Sequence, residues 1–204
     1  MVSIIKHPKF FFIPFAICNS CIAQNKSHIN LTRTKQKAIE AKSFCKLKSL
    51  NTDYCILIDM SLHSGVQRFM VWDFITDTIL SCGLVSHGCC NNAWSGDNTK
   101  IDVQFSFVNG SHCTSSGKYK IGNRAYSQWG INVKYMMHGL EKENKNAEER
   151  QIVFHSWNEV SETPVYPTGT PEGWGCPAIA DGYMKTIDAL LQKEKASMLM
   201  WIYK

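Results

Sequence analysis

The run YCILIDM, Tyr54 to Met60, is followed after one turn by VQRFMVWDF, Val66 to Phe74, and after another by TILSCGLVSHG, Thr78 to Gly88. Each run is rich in β-branched and aromatic residues and too short for a stable helix, and the intervening His63 to Gly65 and Thr76 to Thr78 are turn formers. This grammar predicts strands joined as a meander. Four more runs repeat it further along: GKYKIG from Gly117, INVKYMMHG from Ile131, QIVFHSW from Gln151 and SMLMWIY from Ser197. Helical spacing appears in two places. Within TRTKQKAIEAKSFCKLKSL, Ala38, Ala41 and Cys45, with Ile39, Phe44 and Leu47, predict one amphipathic helix with Thr32 or Thr34 as its cap. DGYMKTIDALLQKEK predicts a second, capped by Asp181, with Met184, Ile187, Leu190 and Leu191 inward. The expected fold is mainly β with few helices.

Composition fits one such domain. At 204 residues and 44% hydrophobic the chain can bury one substantial core but not two. The net charge of +5 is spread along the chain rather than gathered into the basic stripe that a nucleic-acid partner would require. The amino terminus stands apart. Lys6 and Lys9, an apolar run from Phe10 to Cys18 and then small residues follow the order of a secretory signal, and the run is shorter than the roughly 20 residues of a membrane span. Two processing routes are open: cleavage after Ala23, which makes residues 1–23 a signal peptide, or lipid attachment and membrane anchoring at Cys21. Either implies export to the periplasm or cell envelope.

Cys18 and Cys21 belong to that segment, leaving Cys45, Cys55, Cys82, Cys89, Cys90, Cys113 and Cys176. An odd number means that at least one thiol is free or that a bond joins two chains, and sequence does not fix the pairing. Among these seven, no spacing of a structural zinc site appears.

One of them occupies an unusual place. In TPEGWGCPAIADG, Thr170 to Gly182, Cys176 lies between Gly175 and Pro177, where a thiol contributes little to a core. A tight glycine-flanked loop exposes sulfur and backbone N–H groups together, as a nucleophile needs. Gly175 would permit close approach of substrate, and Trp174 would wall the pocket or simply pack. A base is available in His155, which ends the apolar run QIVFH and would emerge at the end of a buried strand.

VFHSW followed, after Ser156 to Glu172, by GWGCPA resembles the His and Cys segments of the murein L,D-transpeptidase catalytic domain family, in which His precedes a Ser/Thr-His-Gly-Cys motif. RFMVWDFITDTIL, LVSHG, NGSHCTSSGKYKIG and HGLEKENKNAEERQIVFH are similar to successive landmarks of that family, from Tyr54 to the end. Three positions depart from it. Gly173 stands at the Ser/Thr position, Trp174 at the His position and Ala178 where Asn or Arg often follows the cysteine.

The resemblance implies an L,D-transpeptidase-like mixed β-sandwich over residues 54–204, preceded by a helical segment over 24–53. It implies no metal or organic cofactor, and bacterial peptidoglycan stem peptides as substrate. Cys176 would be the nucleophile and His155 its base, with Gly175 and Trp174 supporting the loop or oxyanion. Ser116, Gly117, Tyr119, His138 and Arg150 match family segments near the cleft and are the candidate substrate-binding residues, Arg150 as an anchor for a substrate carboxylate. Each of these five also has a plain structural reading: a turn entering a strand for Ser116 to Tyr119, a structural hydrogen bond for His138, and support of the Asn146 to Glu149 turn for Arg150. Two rival activities share the pattern: a cysteine hydrolase such as an L,D-carboxypeptidase, and a wall-binding module without a reactive thiol.

Overall fold

The computed structural model of the protein describes residues 29–204. The signal peptide expected over residues 1–23, with Cys21, lies outside them. Helix α1 (Leu31–Leu47) leads into β1 (Tyr54–Asp59), β2 (Phe69–Asp73) and β3 (Thr78–Gly83). A long irregular stretch then reaches β4 (Gly117–Tyr126), β5 (Val133–Gly139) and β6 (Val153–Ser156). The two-residue β7 (Ala178–Ile179), helix α2 (Asp181–Lys193) and β8 (Leu199–Tyr203) complete the chain.

All eight strands form one sheet in the order β3-β2-β1-β8-β4-β5-β6-β7. The first three make the expected meander, and β8 returns to the middle, parallel to β1 and antiparallel to β4. Every residue of β2 and β8 is buried. Strands covered on both faces read as continuous apolar runs, so these two lack the period-two alternation of half-exposed strands.

The sheet curls upon itself. Five inter-strand steps separate β2 from β6, about 24 Å in a flat sheet at the usual spacing, yet Phe69 of β2 stacks on Phe154 of β6 with ring centroids 5.6 Å apart. The inner face carries Ile56, Val71, Tyr119, Met137 and Ile202, closed by Met184, Ile187 and Leu190 of α2. The outer face, with Leu57, Trp72 and Trp201, is covered by Ala38, Ala41 and Cys45 of α1. Two apolar layers on one curled sheet give the sandwich character. The helical segment therefore packs against the same sheet rather than standing off it.

Both helix caps differ from expectation. Asn30 caps α1, its side chain accepting from Arg33 N at 3.0 Å, while Thr34 is buried one turn inside. Ile39 and Leu47 point to solvent, because the buried stripe follows Thr34, Ala38, Ala41 and Cys45. At α2 the capping position is Ala180, with no side-chain cap; Asp181 is the first helical residue, where its charge faces the positive end of the helix.

The stacked Phe69–Phe154 pair closes the curl. Phe69→Ala is expected to cost about 3–5 kcal/mol in urea unfolding, whereas Leu47→Ala, at a site 78% exposed, should stay within about 0.5 kcal/mol.

Candidate active site

His155 lies on β6, whose residues alternate half-buried and buried, so Val153 and His155 share the face opposite Phe154. The parallel pairing of His155 with Ala178, and the hydrogen bond from His155 N to Pro177 O, bring the Cys176 loop beside that strand. His155 and Cys176 line the same cleft. The His155 Nδ1 lies 2.8 Å from the Ser156 carbonyl oxygen. A carbonyl only accepts, so Nδ1 carries the proton and Nε2 is the free basic nitrogen.

The resting thiol is turned elsewhere. Cys176 Sγ accepts from Val153 N at 3.4 Å and donates to the Gln151 carbonyl at 3.7 Å. Gln151 holds a positive φ of 55°, an uncommon conformation for such a side chain, in the turn that enters β6. No hydrogen bond joins Sγ to the imidazole, so proton transfer requires rotation of the thiol. Burial pushes the Cys176 thiol above its ordinary value, opposed by the Val153 N–H, Arg150 and Lys134. Burial likewise lowers His155, opposed by the Ser156 carbonyl and reinforced by Lys134, which faces His155 across β5 and β6. Both shifts favour the uncharged partners, a thiol beside a neutral imidazole.

The loop is fastened on both sides. Gly173 N donates to His87 O and Cys89 N to Gly173 O, each at 2.7 Å, while Glu172 N donates to Gly96 O and Ser95 N to Glu172 O. Below these bonds lies a buried polar chain. Arg68, His87 and Glu172 are all 0% exposed. Arg68 Nη2 reaches His87 Nδ1 at 2.8 Å, and because guanidinium only donates, Nδ1 must accept. A neutral His87 then donates from Nε2 to Thr99 Oγ1 at 2.9 Å, and Thr99 Oγ1 donates to Glu172 Oε1 at 2.8 Å. Burial keeps His87 uncharged against the pull of Glu172. Burial would raise Glu172, but donors from His87 and Thr99 outweigh it and hold the carboxyl below its ordinary value. Burial draws Arg68 down to about 9, still charged at neutral pH. The charge runs from Arg68 to Glu172, four residues before the thiol.

A third segment presses from the other side. Cys90 and Cys113 form a disulfide, and Cys45, Cys55, Cys89 and Cys176 are free thiols. Gly175 has φ 98°, and a Cβ there would lie 2.5 Å from the Cys113 carbonyl oxygen, so only glycine fits. Arg150 holds that wall in place, donating to Ser106 O at 2.7 Å, Cys113 O at 3.0 Å, Ser111 Oγ at 3.2 Å and Ser115 Oγ. Gly173 is different. A Cβ there meets nothing closer than the Trp157 ring at 3.9 Å, so space does not impose the glycine at that position.

The chain matches a family model described as the L,D-transpeptidase catalytic domain over residues 25–203. The chain belongs to the L,D-transpeptidase catalytic domain family. Among curated proteins none matches. Among solved structures, that of Bdellovibrio bacteriovorus Bd1075 is similar at 14% identity and TM-score 0.43, over 76% of this chain and 49% of that one. An L,D-transpeptidase from Xylanimonas cellulosilytica is similar at 10% identity and TM-score 0.37, over 74% and 60%. The chain thus spans about half to three fifths of these structures.

Within this L,D-transpeptidase-family domain, the residues anticipated around the cleft distribute unevenly. Trp174 is 60% exposed on the cleft wall and Gly175 abuts Cys113 behind it. Tyr119 is fully buried in the inner core, its hydroxyl donating to Ser115 O, and it does not line the Cys176 cleft. Gly117, with φ 115°, is the first residue of β4, and Ser116 directly precedes it. His138 is turned toward Glu148. Arg150 supports the wall rather than opening a free cation to the cleft. What sequence reading passed over is the aromatic lining: Trp94, Trp129 and Trp157 flank the thiol together with Trp174 and Ser86. Their signal was present as tryptophans stranded in polar loops, NNAWSGD and SQWGIN.

Because burial raises the Cys176 thiol, alkylation by iodoacetamide should keep accelerating nearly tenfold per pH unit from pH 7 to 9; a plateau below pH 7 would instead indicate a preformed ion pair. Peptide mapping should find the adduct at Cys176 and spare the buried thiols of Cys45, Cys55 and Cys89. Arg68→Met, which strands the Glu172 charge, is expected to lower stability by about 3–5 kcal/mol in urea titration.

Proposed function

We propose that Cys176 is the nucleophile of a peptidoglycan L,D-transpeptidase reaction and His155 its general base. The observation that carries this reading is the shared cleft of Cys176 and His155, with the imidazole held by Ser156 O so that Nε2 is free. On substrate binding Sγ leaves Gln151 O and gives its proton to His155 Nε2. The thiolate attacks the carbonyl carbon that precedes a terminal D-amino acid, forming a C–S bond. The backbone N–H groups of Gly175 and Cys176, which make no hydrogen bond within the described residues, are suited to the developing oxyanion, at about 3 kcal/mol per donor. The C–N bond breaks as His155 returns the proton to the leaving amine, and a thioester remains. An acceptor amine then attacks the thioester, loses its proton to His155 and releases the thiol.

The same reading assigns the enzyme to the bacterial envelope, supported by the order of Lys6, Lys9 and the Phe10 to Cys18 run. Lipid anchoring at Cys21 and cleavage after Ala23 are distinguished by the mass of the mature amino-terminal peptide.

Intact-mass measurement with a carbapenem or a tetrapeptide donor tests the chemistry. Cys176→Ala should form no adduct and release no terminal D-amino acid while melting within a few degrees of the parent. His155→Ala should acylate slowly at pH 7 and recover as pH rises toward 9, since the thiol then ionises unaided. Parent-rate release by folded Cys176→Ala would overturn the assignment. Adding an acceptor amine to the donor reaction should yield the transfer product; free acid alone would identify a hydrolase.

A further inference from the structure

Four tryptophans from four separate segments converge beside the thiol. Trp94 follows the His87–Cys90 strand-like segment, Trp129 sits in the β4–β5 turn, Trp157 follows β6 and Trp174 belongs to the cysteine loop. Trp94 is the hub, stacked on Trp157 at 5.4 Å between centroids and tilted against Trp129 at 6.2 Å and Trp174 at 6.5 Å. Trp157 is 4% exposed and braces the group, whereas Trp94, Trp129 and Trp174 remain 47%, 45% and 60% exposed. His112 stacks on Trp174 at 5.2 Å, fixing its plane. The cleft so formed opens to solvent. Large indoles left wet and mutually braced mark a binding surface rather than a core.

The lining limits what can enter. Besides His155 and Cys176 its polar side chain is Ser86, whose buried hydroxyl has no hydrogen-bond partner. Among the described residues no carboxylate, ammonium or guanidinium lines it, so a charged group would lose its hydration without compensation. A stem peptide offers methyl groups, carboxylates and an amine, none of which requires four indoles. The sugar rings that carry the stem peptide are uncharged and present faces of C–H bonds, whose slight positive charge suits the negative face of an indole.

We propose that Trp94, Trp129 and Trp174 form a saccharide subsite that seats a hexosamine ring of the glycan strand beside Cys176. This rests on the peptidoglycan reading of Cys176. It makes the preferred donor a stem peptide still attached to its sugar, with remote binding energy drawn from the indoles to hold the scissile carbonyl at the thiol.

Two measurements test it separately from the nucleophile assignment. Peptide-free glycan strands titrated into the full chain should shift intrinsic tryptophan emission saturably, and Trp129→Ala and Trp94→Ala should each weaken that binding at least fivefold. The kcat/KM of a disaccharide-tetrapeptide donor should exceed that of the free tetrapeptide at least tenfold. That ratio should fall at least fivefold in Trp129→Ala and recover in Trp129→Tyr, which keeps an aromatic face if the alanine variant folds poorly. An emission unmoved by glycan, or equal turnover of the two donors by the parent, overturns the proposal. So does a ratio unchanged in folded Trp129→Ala. Failure of every donor to acylate Cys176 would defeat the proposed function instead, and the glycan titration would still decide the subsite.

Discussion

The buried chain from Arg68 through His87 and Thr99 to Glu172 is the constraint on which the site depends. An ionised carboxylate with no solvent access is costly unless donors surround it, and here one oxygen receives the Thr99 hydroxyl and backbone N–H while the other has no partner. That half-satisfied carboxylate ties the cysteine loop to the sheet. Arg68 in turn spends its remaining donors on the Val85 and Leu62 carbonyls, fixing the segment that hydrogen-bonds Gly173. Such a network specifies one loop position even where it adds little net stability.

The geometry above it follows from close backbone contact. Three segments, around Gly88, Cys113 and Gly175, lie side by side with no room for a Cβ at either glycine: at Gly88 it would fall 2.2 Å from the His112 carbonyl oxygen. The disulfide joins two of the three, and Arg150 ties the Cys113 segment to Ser106 and Ser111. A guanidinium that sequence reading weighed as a substrate anchor is thus consumed by four acceptors. Its charge still reaches the thiol and works against the cost of burial.

Much of this was legible in the chain. The meander of β1 to β3, the isolated His155 at a strand end and the glycine-flanked Cys176 all follow from local patterns that tertiary context did not overturn. The two-residue β7 was not legible, because a strand that short has no period to read. The caps failed for a related reason: Thr32 and Thr34 were plausible oxygens, but burial of Thr34 beneath the helix set the register and left Asn30 at the end. The pairing of Cys90 with Cys113 and the meeting of four tryptophans depend on how the long β3–β4 stretch returns to the cleft. No local pattern encodes that path. His87 carries no local signal of its part either: its buried hydrogen bonds to Arg68 and Thr99 join segments far apart in the chain.

The two sides of Cys176 differ in character, and the difference bears on how the reaction would proceed. Toward β5 and the Cys113 wall stand the cations Lys134 and Arg150, both of which favour thiolate over thiol; toward Trp94 and Trp129 the surface is apolar and uncharged. Lys134 also disfavours an imidazolium at His155. The same lysine therefore eases loss of the cysteine proton and disfavours an imidazolium at His155, so in the proposed reaction it would favour passing that proton on to the leaving amine. Rotation of Sγ from the Gln151 carbonyl toward the imidazole would then couple substrate binding to ionisation, because a substrate seated against the indoles excludes water from the side on which the thiolate forms.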